Sequence, residues 1–266
     1  MGFFAVACAA LPAAARLPDA VDRNRDGEIV IACLGDSNTA SGWQAGVDGG
    51  FPSEYGWCEQ LSPLLEDSRV RVLNFGIGGA TMSPNPLRSK PEIGVFLSGL
   101  EQLDYALVTE PIDVVMAAFG TNDVVLPHGG RPEDIVDYHN RAFRRARSHG
   151  LLAFVATVPP AFLNPKTGRI HRPLDAIRLT NELLRETFPR RVLLDFERNM
   201  RRQKYLDHLH MNAAGQAVRA REARRRLVAL AEVTLPPAGV RALRWDGGHW
   251  RSKTKADLGD RIGMED

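Results

Sequence analysis

The stretch Glu28-Ile29-Val30-Ile31-Ala32-Cys33-Leu34-Gly35-Asp36-Ser37-Asn38-Thr39 decides the fold. Its apolar run lacks the polar side that a half-exposed strand turns to water, and strands apolar on both faces belong to parallel sheets covered by helices. Gly35-Asp36 ends the run. The Ser37 hydroxyl therefore falls at the C-terminal end of a strand, where open α/β sheets hold their chemistry.

The pattern recurs along the chain. Val70 to Phe75, Ile112 to Phe119, Leu151 to Val158 and Arg191 to Phe196 are short apolar or β-branched runs that stop at glycine, proline or polar residues, and each predicts a strand. Helical signals lie between them. Pro132 to His149 carries proline in its first turn with Glu133 and Asp134 beside it, and Gly150 marks the stop. Ile135, Tyr138, Ala142, Phe143 and Ala146 share its apolar face, which makes Arg141, Arg144, Arg145 and Arg147 a solvated face. The last long helix, Ala213 to Glu232, repeats the design, with Ala217, Ala220, Ala223, Leu227 and Leu230 inward and Arg219, Arg225 and Arg226 turned away.

At 266 residues, 44% hydrophobic and 25% charged, the chain has room for one large α/β domain with a buried core. Its 34 basic and 32 acidic side chains are too balanced to indicate a nucleic-acid partner. Cys8, Cys33 and Cys58 form no disulfide or zinc pattern and read as structural thiols. Residues 1–27 read as an apolar N-terminal segment and linker. Its start ends in Ala13 and Ala15 at A-x-A spacing, as before a signal cleavage site, so the expected location is secreted or periplasmic, with cytoplasmic as the alternative. No segment approaches the roughly 18 apolar residues of a membrane span. Beyond Leu235-Pro236-Pro237 the chain turns to Gly, Lys, Arg and Asp, and 236–266 reads as a tail. Asp22 to Ile29 matches the first half of a calcium loop, but the bidentate position is Cys33, so the segment reads as an Asx-rich turn feeding the first strand.

Three further polar segments follow Ser37: Asn74-Phe75-Gly76-Ile77-Gly78-Gly79, Gly120-Thr121-Asn122-Asp123 and Asp207-His208-Leu209-His210. Acyl transfer from an ester needs a hydroxyl nucleophile, a base to take its proton and donors aimed at the developing oxyanion. These segments hold candidates for each part. The G-x-S-x-G elbow of α/β-hydrolases is absent around Ser37, and Thr81 spoils a dinucleotide loop beginning at Gly76.

In chain order, the four segments resemble the blocks of the SGNH, or GDSL-type, hydrolases, and the similarity covers roughly 28–233. The resemblance implies a three-layer α/β/α sandwich on a five-stranded parallel sheet of flavodoxin-like order, 2-1-3-4-5, with the hydrolase domain over 28–235. It implies that Ser37 attacks, that His210 is the base and that Asp207 orients it. The oxyanion hole would be the N–H of Ser37, the N–H of Gly79 and the side-chain amide of Asn122. His208 competes with His210, but the D-x-x-H spacing favours the latter. Where the family's name implies leucine, this chain has Asn38, which bears on packing beside the nucleophile.

No metal or cofactor is called for, since His128, His139, His149, His171 and His249 have no carboxylate or cysteine at ligand spacing. Trp43 with the stretch Gly42 to Phe51, and the loop Pro159 to Pro173, are candidates to line the cleft. The expected partner is a small-molecule or carbohydrate ester, and the function a serine esterase acting on a small or medium acyl group. An acyltransferase using the same serine and a non-catalytic carbohydrate-binding module are the alternatives. The acyl group, the alcohol and the oligomeric state are not encoded in these motifs.

Overall fold

The computed structural model describes residues 16–40, 56–84, 98–125, 130–164, 166–170, 172–231, 243–245 and 250–252. The apolar start, Trp43 with the stretch Gly42 to Phe51, and the 236–266 tail apart from a small hairpin, Leu243–Trp245 with Trp250–Ser252, lie outside those residues. Among the described residues no helix is long and apolar enough to cross a membrane.

Five strands, β1 (Ile29–Gly35), β2 (Val70–Asn74), β3 (Val114–Ala118), β4 (Leu152–Ala156) and β5 (Leu193–Leu194), form one parallel sheet in the order β2-β1-β3-β4-β5. The alternation along β1 explains its sequence. Ile29, Ile31 and Cys33 enter one core and Val30, Ala32 and Leu34 the other, so both faces need apolar side chains. The helices α2 (Trp57–Leu65) and α6 (Ala213–Ala231) cover the first face with Trp57, Leu61, Ala223 and Leu227. The opposite face is covered by α3 (Gly99–Thr109) and α4 (Pro132–Ser148), with α5 (Leu174–Thr187) packed beside α4. Only the edge strand is much shorter than expected: Arg190–Val192 is a 3-10 turn, and pairing begins at Leu193.

The order reverses between β1 and β3, and that switch point is where the carboxyl ends of the strands part and leave a crevice. Ser37 begins the short helix α1 (Ser37–Ala40) directly above it. Asp113, at the other end of the sheet, takes N–H bonds from Arg23 (2.6 Å), Asn24 (3.2 Å) and Val30 (2.8 Å) and ties the entry turn to β1. Burial nevertheless pushes this carboxyl up to about 6, those N–H groups working the other way.

Two sequence expectations are corrected. Residues 16–27 do not behave as a linker: Leu17 and Val21 are buried in the same core as α2, as apolar side chains ahead of a covered strand will be. The turn after them is Asx-built, Gly27, Asp26 and Glu28 donating their N–H to Asp22, Asn24 and Asp26 side chains. On α6, Arg225 is exposed, but Arg219 is only 1% exposed and Arg226 is buried beside Glu222. The alanine stripe is narrow enough for the helix to sit deep, and Arg219 is taken in between the rings of Trp57 and Phe196, 5.4 and 4.3 Å from their centroids.

His139 on α4 is wholly buried against Phe119, and among the described residues neither ring nitrogen has a hydrogen-bond partner. Burial lowers its pKa to about 3. The native ring thus stays neutral while the unfolded one takes up a proton below about 6.5, so stability is lost as pH falls through that window, by about 1.4 kcal/mol per unit. Replacing His139 with leucine removes this component. Urea unfolding at pH 7 and pH 5 is expected to show a loss on acidification smaller in His139→Leu than in the wild type by on the order of 2 kcal/mol; equal losses would contradict a neutral buried imidazole.

Candidate active site

The turn carrying Ser37 is held by backbone geometry. Asp36 accepts the N–H of Thr39 (3.0 Å) and Ala40 (2.9 Å) at its carbonyl and that of Asn38 (2.9 Å) at its carboxylate, which caps α1 and sets Ser37 in its first turn. Gln102 on α3 reaches across to Gly35, its Oε1 accepting the Gly35 N–H (3.0 Å) and its Nε2 donating to the Gly35 carbonyl (3.2 Å). Burial raises the pKa of Asp36, opposed by the Asn38 N–H and the charges of Arg219 and His210.

Asp207 and His210 stand on a tight loop closed by a bridge between Tyr205 and Met211 and by the Leu206 N–H on the His210 carbonyl (2.8 Å). The Asp207 Oδ1 accepts two backbone N–H groups, from Leu209 and His210, both at 2.6 Å. Its Oδ2 lies 2.9 Å from His210 Nδ1, and His210 Nε2 lies 3.1 Å from Ser37 Oγ. A carboxylate accepts only, so the ring proton belongs on Nδ1, and Nε2 presents a lone pair to the hydroxyl. Burial works to raise the Asp207 pKa, but the His210 ring and the N–H groups of His210 and Leu209 outweigh it and hold the carboxyl well below the usual range. Ser37, Asp207 and His210 are thus joined in one chain of hydrogen bonds, to which His210 and not His208 supplies the ring.

Asn38 clamps the two halves together. Its Oδ1 accepts the N–H of Met211 (3.2 Å), and its carbonyl receives Gln216 Nε2 (3.0 Å) and the buried Arg219 Nη1 (2.9 Å). Leucine at this position has no acceptor for the Met211 N–H.

The second segment docks on the first through the Ile77 N–H, bound to the Gly35 carbonyl (3.0 Å), and through Asn74 Nδ2 on the Thr39 carbonyl (2.7 Å). A Cβ on Gly76 would lie 2.5 Å from the Ala40 nitrogen, so glycine is required for this approach. The third segment in turn holds the chain just beyond the second. Asn122 Nδ2 donates to the Ala80 carbonyl (3.0 Å), while the Asp123 carboxylate accepts the N–H of Met82 and Ser83 (both 2.9 Å) and the Ser83 hydroxyl (2.5 Å). Burial raises the Asp123 pKa against those bonds. Gly79 has φ +79°, and among the described residues the N–H groups of Ser37 and Gly79 make no hydrogen bond.

Gln102, Asp123 and Arg172 were given no role by the sequence reading, and Arg219 was read as solvent-facing. Asp123 lies within a quoted segment, so its signal was adjacency to Asn122; the other three carry no local pattern. Arg172, from the loop Pro159 to Pro173, places Nε 2.6 Å from the Thr121 carbonyl and Nη2 3.1 Å from Asn122 Oδ1. Among the described residues no group of three or more His, Cys, Asp or Glu side chains is placed to hold a metal ion.

A model of the GDSL-like lipase/acylhydrolase family matches residues 33–218. Among solved structures the chain is similar to a carbohydrate acetylesterase from Sinorhizobium meliloti, at 19% identity and a TM-score of 0.61 over 76% of this chain and 100% of that one. It is similar to the aryl esterase of M. smegmatis at 21% identity and a TM-score of 0.57, over 77% of this chain and 97% of the other. At these identities the likeness shows the fold. No curated protein matches the chain.

Asn38→Leu leaves the buried Met211 N–H without its acceptor, a loss of about 1 to 3 kcal/mol. Chemical denaturation of the variant is expected to show that decrease; wild-type stability would mean the clamp contributes nothing.

Proposed function

Because the chain belongs to the GDSL-like lipase/acylhydrolase family, we propose that it is a serine esterase that cleaves a small or medium acyl ester through an acyl-enzyme on Ser37. The observation that carries this reading is the unbroken chain Asp207 Oδ2, His210 Nδ1, His210 Nε2, Ser37 Oγ, with contacts of 2.9 and 3.1 Å. The catalytic unit in this reading is 28–235.

As the Ser37 Oγ bonds to the acyl carbon, its proton passes to His210 Nε2, and the carbonyl π electrons move onto oxygen. Asp207 is held ionised and stabilises the imidazolium that results. Collapse of the tetrahedral intermediate breaks the bond to the alcohol, which leaves with the proton from Nε2. Water then enters by the same route: His210 takes its proton, the hydroxide oxygen bonds to the acyl carbon, and Ser37 leaves reprotonated as the acid departs. The oxyanion of both steps lies against the N–H of Ser37, the N–H of Gly79 and the amide of Asn122. Two of these donors are backbone groups fixed by the turns around them, so little reorganisation is needed as charge develops.

The chemistry of the site names a bond type rather than a substrate. An acetylesterase of carbohydrates and an aryl esterase among the structural neighbours support a short acyl group on a sugar or aryl alcohol.

Hydrolysis of p-nitrophenyl esters of increasing chain length tests the reading. Ser37→Ala is expected to lower kcat by at least about 10,000-fold; a variant as fast as the wild type ends the nucleophile assignment. Asn122→Ala is expected to lower kcat about 100- to 1,000-fold with KM little changed, as suits a donor that acts on the transition state. An effect confined to KM would contradict that role.

A further inference from the structure

We propose that Arg172 is a positioning residue of the oxyanion hole: its guanidinium fixes which end of the Asn122 amide faces the reacting carbonyl and strengthens that amide as a donor. The inference rests on the reading of Asn122 as an oxyanion donor.

A side-chain amide has two ends of similar shape and opposite chemistry. Arginine only donates, so its Nη2, 3.1 Å away, requires the oxygen of Asn122 on that side. The Ala80 carbonyl only accepts, so at 3.0 Å it requires the nitrogen. Turning the amide over would set two donors against each other on one side and two acceptors on the other. Both contacts therefore choose the same orientation, and one of the two Nδ2 hydrogens remains for the oxyanion. The Ala80 contact alone holds the nitrogen; the guanidinium adds the penalty for the wrong orientation.

The same guanidinium grips the backbone behind the amide. Its Nε donates to the Thr121 carbonyl at 2.6 Å, so one planar group spans the main chain of one residue and the side chain of the next. Lysine, with a single ammonium, cannot reproduce that fork. Charge matters as well as shape: a cation on the amide oxygen draws electron density through the planar group and makes the N–H a stronger donor. Arg172 is half-buried, where such an interaction is less screened.

The surrounding loop shows how the residue is held there. At its beginning the Phe162 N–H bonds to the carbonyl of His208 (2.9 Å) in the triad loop. Leu163–Asn164 then pairs with Arg169–Ile170 as a two-stranded hairpin, and Arg172 follows. The loop thus runs from the base side of the site to the oxyanion side, joined to each.

A double-mutant cycle on p-nitrophenyl acetate, with wild type, Arg172→Gln, Asn122→Ala and the double variant, decides the matter. Arg172→Gln is expected to lower kcat about tenfold with KM within about twofold, and to change kcat less than about twofold once Asn122 is alanine. Arg172→Lys is expected to fall between glutamine and wild type. If Arg172→Gln does not fold, the lysine variant carries the same cycle. Full kcat in the variant, an effect on KM alone, or an equal fold-loss in both Asn122 backgrounds overturns the proposal. If Asn122→Ala itself keeps wild-type kcat, the reading of Asn122 as a donor fails first, independently of any result at Arg172.

Discussion

A Cβ at position 35 would sit 2.1 Å from the Thr39 hydroxyl oxygen and 2.8 Å from the Ala118 carbonyl oxygen, so the chain can leave β1 on this path only as glycine. The rest of the site hangs on that exit. With no side chain in the way, the Gly35 carbonyl accepts both the Ile77 N–H and Gln102 Nε2, and the Gly35 N–H reaches Gln102 Oε1. One residue therefore fixes the Ser37 turn against the second segment and against α3. Asn122 and Asp123, which follow β3, the strand next to β1, then bind the chain that continues from that second segment. The switch point of the sheet supplies the space; the glycine lets three loops use it at hydrogen-bond distance.

Beneath this turn the protein keeps charge inside. Asp36 and Arg219 are each 1% exposed, and burial lowers the Arg219 pKa to about 10 while the Asp36 charge works to raise it. Buried charges of this kind seldom add net stability, because the loss of hydration offsets their attraction. What they add here is direction. Arg219 donates to the Asn38 carbonyl and rests on two aromatic faces, so the turn carrying Ser37 is fastened to α6, the helix that follows the triad loop. Ser37 and the loop bearing His210 thereby share one support.

The strands were legible because burial on both faces leaves an uninterrupted apolar run, and the D-x-x-H segment because its hydrogen bonds are local: a residue three positions away can reach its partner within one turn. Arg219 was not. Helical spacing placed it among solvated arginines, and only the assembled fold shows the two rings and the carbonyl that receive it. Gln102 and Arg172 failed for the same reason, since their partners lie on other elements and nothing in their neighbours in sequence distinguishes them. Edge strand β5 was overestimated because an apolar run records burial, and burial continues past the last paired residue. Leu17 and Val21 make the same point in reverse, being core residues without regular pairing.

The two halves of the site consequently differ in how they are maintained. Asp207 and His210 are held to each other by bonds inside residues 205–211, and Asn38 and Phe162 tie that loop to the Ser37 turn and to the loop before α5. The proposed oxyanion side is assembled from β1, the segment after β2, the segment after β3 and the loop before α5, each positioned by the sheet. A shift of β3 relative to β1 would leave the imidazole on its carboxylate and move Asn122 away from Ser37. Because hydrogen bonds weaken steeply with distance and angle, small errors in packing would cost the proposed hole before they cost the contact between Asp207 and His210. That difference gives Gln102, Asp123 and Arg172 their place: all three fasten the side whose parts lie far apart in the chain.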